Sequence, residues 1–169
     1  MASWTSPRTF VDGEVETAAI LNVHIRDNFK AIGDPWTAYT PTLTASTTDP
    51  TLGSGSSATG AYIAAGKLII GRARIVFGAS GTAAGTGNYF VSIPVTARAT
   101  TDLVNGSCRL VHSTTTIARP FPALTTTSLL VMEYPATWPS DTQTLVGDSA
   151  PWAWGASDSI DITFIYEAA

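Results

Sequence analysis

Two histidines, one cysteine and a scatter of carboxylates are the residues of this 169-residue chain whose types could carry acid–base, nucleophilic or metal chemistry. His24 and His112 lie far apart, with no Glu-x-x-His, His-x-His or His-Glu-x-x-His spacing, so no protein-bound metal is expected. Cys108 sits between Ser107 and Arg109 in a strand-like stretch. That context marks a small core residue rather than a nucleophile. A single cysteine also excludes an intrachain disulfide framework. Glycoside hydrolysis needs two carboxylates about 5–9 Å apart in a groove. Asp102, Glu133, Asp141, Asp148, Asp158 and Asp161 supply the residue type, but no spacing pairs them. They read as turn formers and solvated strand faces. There is no Gly-x-Ser-x-Gly elbow. The glycine-rich stretch at residues 53–60 lacks the lysine and the following helix of a phosphate loop, and reads as a turn. The chain is expected to be no enzyme and to hold no cofactor.

Binding chemistry is concentrated in Trp138, Trp152 and Trp154, within a Pro/Trp/Ser-rich excursion over residues 135–154. Exposed indoles stack on sugar rings or anchor protein interfaces. They can equally plug the end of a β-sandwich or an interface with a neighbouring copy, and both readings stand. A net charge of −4 speaks against nucleic acid, which needs a basic stripe. Arg72 and Arg74 make only a two-residue patch. No run approaches the roughly 18 apolar residues of a membrane span, and the N-terminus has no apolar core of a signal peptide.

The elements that must position these groups change character at Gly33-Asp34-Pro35-Trp36. Residues 1–33 form one unit and residues 34–169 another. Within the first, residues 1–16 make an arm broken by Pro7 and Gly13. Its apolar anchors Trp4, Phe10 and Val11 need a partner to cover them. A single short helix follows over residues 17–32, with Thr17 suited to the N-cap, Lys30 in the last turn, Gly33 at C′ and Pro35 as a stop. Ala18, Leu21, Ile25, Asn28 and Ile32 step by three, four, three and four. That is an a/d seam of about two heptads with one polar residue able to fix register and oligomer number. The competing reading packs Leu21, Ile25, Phe29 and Ile32 on the β body. A helix this short needs tertiary or quaternary packing to persist.

From Trp36 onward, period-2 runs and Gly/Pro/Asx breaks predict an antiparallel β-sandwich or jelly-roll-like domain of roughly seven to nine strands. The run over residues 68–77 puts Gly71, Ala73, Ile75 and Phe77 on one face and Arg72 and Arg74 on the other. The run over 159–166 likewise sets Ile160, Ile162, Phe164 and Tyr166 against Asp161 and Thr163. Only 13% of residues are charged, about half of the roughly 25% usual in soluble domains. Either other copies cover much of the surface, or the domain is neutral and Thr-rich on its own account.

Two stretches resemble a known group. Gly-Glu-Val at residues 13–15, Thr-Ala-Ala at 17–19, Leu-Asn at 21–22 and Arg-Asp-Asn at 26–28 are similar to the N-terminal segment of small virion structural proteins of tailed bacteriophages of the actinophage type. Trp-Thr-Ala-Tyr-Thr-Pro-Thr-Leu-Thr at 36–44 and Asp-Pro-Thr-Leu-Gly at 49–53 resemble the start of their β modules, and the likeness continues to residue 95. The resemblance implies a minor tail or fibre-like virion surface protein, a homotrimer, assembled in the host cytoplasm. Its partners would be other tail or capsid proteins and host cell-surface glycan. It carries over no catalytic residue. A head-decoration protein clamping the shell uses the same parts, and a free carbohydrate-binding module is a third class.

Overall fold

Thr17 opens the helix by the expected device: its backbone is extended and its side-chain oxygen accepts from the Ile20 amide at 3.4 Å, which satisfies one orphan donor of the first turn. The computed structural model describes residues 5–33, 35–99, 104–112, 116–135 and 143–169. Helix α1 is α-helical at Ala18–Leu21, passes through a π turn at Asn22–Arg26, and is α-helical again at Asp27–Gly33. The Asp27 amide donates to the Asn22 carbonyl, the i→i+5 bond of a π turn. One residue more is carried per such turn. Everything after it is therefore turned back about the axis by about 100°, one α-helical step.

Eleven strands follow among the described residues: β1 (Thr37–Tyr39), β2 (Leu43–Ala45), β3 (Ser57–Ala65), β4 (Leu68–Val76), β5 (Tyr89–Ser92), β6 (Asn105–His112), β7 (Thr116–Ala118), β8 (Phe121–Thr126), β9 (Leu129–Pro135), β10 (Gln143–Leu145) and β11 (Ser159–Glu167). Six form one antiparallel sheet in the order β1-β3-β4-β11-β6-β7. In the second sheet β9 pairs with β8 on one edge and with β5 and β10 on the other, and β2 lies beyond β5. The fold is thus mainly β, one short helix followed by an antiparallel sandwich, as the alternation predicts.

The inner faces meet in one core. β4 contributes Ile69, Ala73 and Ile75, β11 contributes Ile160, Ile162, Phe164 and Tyr166, and β6 contributes Cys108 and Leu110. Leu43, Tyr89, Val91, Leu130 and Met132 face them from the second sheet. Cys108 is a core residue, and burial pushes its thiol pKa well up. Tyr89 and Tyr166 are core rings that keep their hydroxyls satisfied, donating to the carbonyls of Ala84 and Val95 at 2.6 Å each. A buried hydroxyl without a partner would cost more than the bond itself contributes.

Three local features go beyond what the sequence pattern shows. The run at residues 36–44 is two strands in different sheets, because Pro41 has no amide to continue a ladder and the chain crosses there. Residues 53–60 are paired rather than a bare turn. Thr51 and Ser54 bridge to Ala83 and Ser80, and β3 already begins at Ser57. Gly53 has φ +81°, and a side chain there would run into the Ser80 carbonyl. Strand β8 was hidden by Pro122, which an edge strand tolerates on its unpaired side.

Candidate functional site

The arm and helix are joined by side chains that the π turn brings to one side. Asn28 accepts from the Thr5 amide at 2.9 Å and donates to the Thr5 carbonyl at 2.8 Å, with a further bond to the His24 carbonyl at 3.1 Å. Nδ1 of His24 lies 3.2 Å from the Ser6 carbonyl. Arg8 pairs with Glu14 and lies over the Phe10 ring at 5.4 Å from its centre. The arm therefore folds back along its own helix. Asn28 is only 5% exposed, and Ala31 beside it is buried where the helix approaches β3.

The other side of the helix is apolar and open. Ala18, Leu21, Ile25 and Ile32 are exposed, and so is Phe29 at 73%. The five-residue seam read from the sequence is thus altered at one position. The extra residue of the π turn moves Asn28 to the arm side and brings Phe29 into line, so the exposed stripe runs Leu21, Ile25, Phe29, Ile32. The competing reading, that this face packs on the β body, does not hold for these four. Phe10 and Val11 of the arm are also exposed. Trp4 lies outside the described residues.

The tryptophans divide. Trp154 is 6% exposed, with ring centres 5.6 Å from both Phe77 and Tyr89. Its Nε1 donates to the Gly147 carbonyl at 2.8 Å. It plugs the end of the sandwich and is not available as a surface binder. Trp152 is half-buried between Trp154 and His112, at 5.7 and 5.2 Å. Trp138 lies outside the described residues. Asp158, fully buried, accepts from the Gly155 amide at 2.8 Å and faces Nδ1 of His112 at 3.0 Å. This pair fastens β6 to the turn that launches β11, so Asp158 holds a chain turn as its residue type suggests.

The outer face of the six-stranded sheet carries a concavity of about 420 Å³. Pairing sets two rows across it. One runs Thr59, Arg74, Asp161, Arg109 and the next runs Ala61, Arg72, Thr163, Ser107. Asp161 sits between Arg74 and Arg109, 3.4 Å from each. Arg72 lies 5.2 Å from the centre of the half-exposed Trp36 ring. Of these three arginines only Arg72 and Arg74 lie close together in the sequence. Arg109 joins them only because the last strand, β11, inserts between β4 and β6. The alternation within residues 105–112 was the available signal, but strand order was not readable.

Among the described residues no group of three or more His, Cys, Asp or Glu side chains could hold a metal ion, and no helix is long and apolar enough to cross a membrane. No protein-family model, curated protein or solved structure matches the chain.

Proposed function

We propose that the chain is a non-enzymatic structural protein of a bacteriophage virion surface: a homotrimeric minor tail or short fibre protein whose helix gathers the copies and whose sandwich is displayed. The observation that carries this reading is the stripe of Leu21, Ile25, Phe29 and Ile32. It stays open to solvent although the same helix buries Asn28 and Ala31. An apolar side chain of this size contributes about 1.5–3 kcal/mol when it goes from exposed to fully buried. A contiguous stripe of four is therefore a surface that favours a neighbour. A second copy of the helix fits it well, because an Ile/Leu/Phe ridge fills the grooves of its like. The exposed Phe10 and Val11 are left to dock on other virion proteins. The motif resemblance at residues 13–28 and 36–53 supplies the virion context.

Light scattering on the full chain and on Ile25→Asp/Phe29→Asp tests the reading. A trimer that becomes a monomer, with the sandwich still melting cooperatively, supports it. A wild-type chain that is monomeric at every concentration overturns it.

A second reading, head decoration, rests on the direct passage from α1 at Gly33 to β1 at Thr37, which leaves no shaft between anchor and sandwich. It requires that particles lacking the protein lose stability and keep adsorption. Tail placement requires the reverse.

A further inference from the structure

In a chain of net charge −4, three of the nine Lys and Arg residues meet in one groove. Arg74 and Arg109 share the single carboxylate of Asp161 and leave about half of their side chains in solvent. Arg72 stands in the adjacent row, with its charge against the Trp36 ring. Three guanidiniums against one carboxylate leave an excess of two positive charges among the lining residues. Around them stand the hydroxyls of Ser107 and Thr163, whose oxygens are 2.9 Å apart, and of Thr59, with the small side chain of Ala61 in the same row as Arg72.

We propose that this groove binds an acidic saccharide, a sugar chain bearing spaced carboxylates. Guanidinium forks match a carboxylate in geometry as well as charge. Ser107, Thr163 and Asp161 offer donors and acceptors for ring hydroxyls. Asp161 also selects between anions. A carboxylate at the centre of the arginines repels a densely charged phosphate backbone and still accepts from a sugar hydroxyl. Trp36 gives the groove an apolar ring at its margin for the carbon face of a sugar. A volume of about 420 Å³ falls in the range of small-molecule sites. The groove, and not the tryptophan excursion, is then the saccharide-binding surface. The inference stands on the groove alone, so its outcome is separate from that of the oligomer measurement.

The test is calorimetric titration of the full chain with oligogalacturonate and with hyaluronan fragments, against a neutral oligosaccharide and single-stranded DNA. Binding of a uronate oligosaccharide is expected, with no heat from the neutral sugar and weaker binding of DNA. Arg74→Gln/Arg109→Gln is expected to weaken it by about tenfold or more with an unchanged melting profile, since both side chains project into solvent. Failure of both uronate probes overturns the proposal. So does DNA binding as tight as the uronate's, or uronate binding that survives the double substitution.

Discussion

Phe164 occupies the space that a side chain at Gly71 would fill. The two residues are register partners on β11 and β4, and a Cβ built on Gly71 would collide with the edge of the Phe164 ring. Both face the core, where the ring is 1% exposed. A strand glycine of this kind is chosen for a neighbour's bulk and not for its own backbone freedom.

Gly71→Ala should therefore destabilise the sandwich by about 1–3 kcal/mol, the usual cost of overpacking. Phe164→Leu made in the Gly71→Ala background should recover part of that loss. Urea denaturation of both single variants and the double variant checks this. A double variant that is merely the sum of the singles would show that the ring and the glycine are not coupled.

Trp154 carries the end of the core: three aromatic neighbours, Phe77, Tyr89 and Trp152, and the Gly147 carbonyl surround it. Trp154→Ala should cost about 3–5 kcal/mol by leaving a cavity and removing the indole's bond to the Gly147 carbonyl, which keeps the Ala150 amide as its other donor. Trp152→Ala, at a half-buried position, should cost clearly less. Thermal unfolding of the two variants side by side reads the difference. Equal losses would mean that Trp152 is as central as its neighbour.

Why one part of the fold was legible and another was not comes down to the range of the interactions. The alternation in residues 68–77 and 159–166 is local, and β4 and β11 follow from it directly. Thr17 and Gly33 likewise bracket the helix by local chemistry. The π turn at residues 22–26 leaves no comparable mark. Whether Asn28 or Phe29 joins the exposed stripe is decided by the arm, through bonds to Thr5 that span 23 positions of the chain. The groove is longer in range still. Arg74 and Arg109 meet at Asp161 only once β11 lies between their strands, and no periodicity reports strand order. The tryptophans show the opposite limit. Composition drew notice to Trp152 and Trp154 together, but burial of one and half-exposure of the other depend on the turn at residues 147–155.

Asn28 is the fastening of the arm. Replacing it by Leu removes three hydrogen bonds, including both that hold Thr5. It also leaves the Thr5 amide and carbonyl without these partners. The arm should then leave the helix, and trypsin should cut after Arg8 faster than in the wild type while the sandwich stays intact. Limited proteolysis followed by mass spectrometry measures this. An unchanged cleavage rate would place the arm's hold elsewhere, in the Arg8–Glu14 pair or the His24 contact.

Alkaline pH should loosen the sandwich through its buried tyrosines. Burial is the largest cause of the upward shift for Tyr39, Tyr89 and Tyr166. For Tyr166 the outcome is a pKa pushed up from 10.0 to about 12, partly opposed by the Val95 amide, which donates to its hydroxyl oxygen at 3.3 Å. The buried Cys108 thiol is shifted in the same direction. A raised folded-state pKa means that the native chain keeps a proton which the unfolded chain has already released. The contribution to stability is complete below the unfolded value and falls as pH rises toward the folded one. The urea midpoint should thus be insensitive to these groups at neutral pH and decline between about pH 10 and about pH 12. Tyrosinate absorbance should lag the titration expected for exposed tyrosines, then rise together with loss of the near-ultraviolet dichroism of the packed rings. Ionisation of all the tyrosines at the ordinary value, with the fold intact, would contradict the argument. It would mean that water reaches the Tyr89 and Tyr166 hydroxyls, although their partners are the carbonyls of Ala84 and Val95.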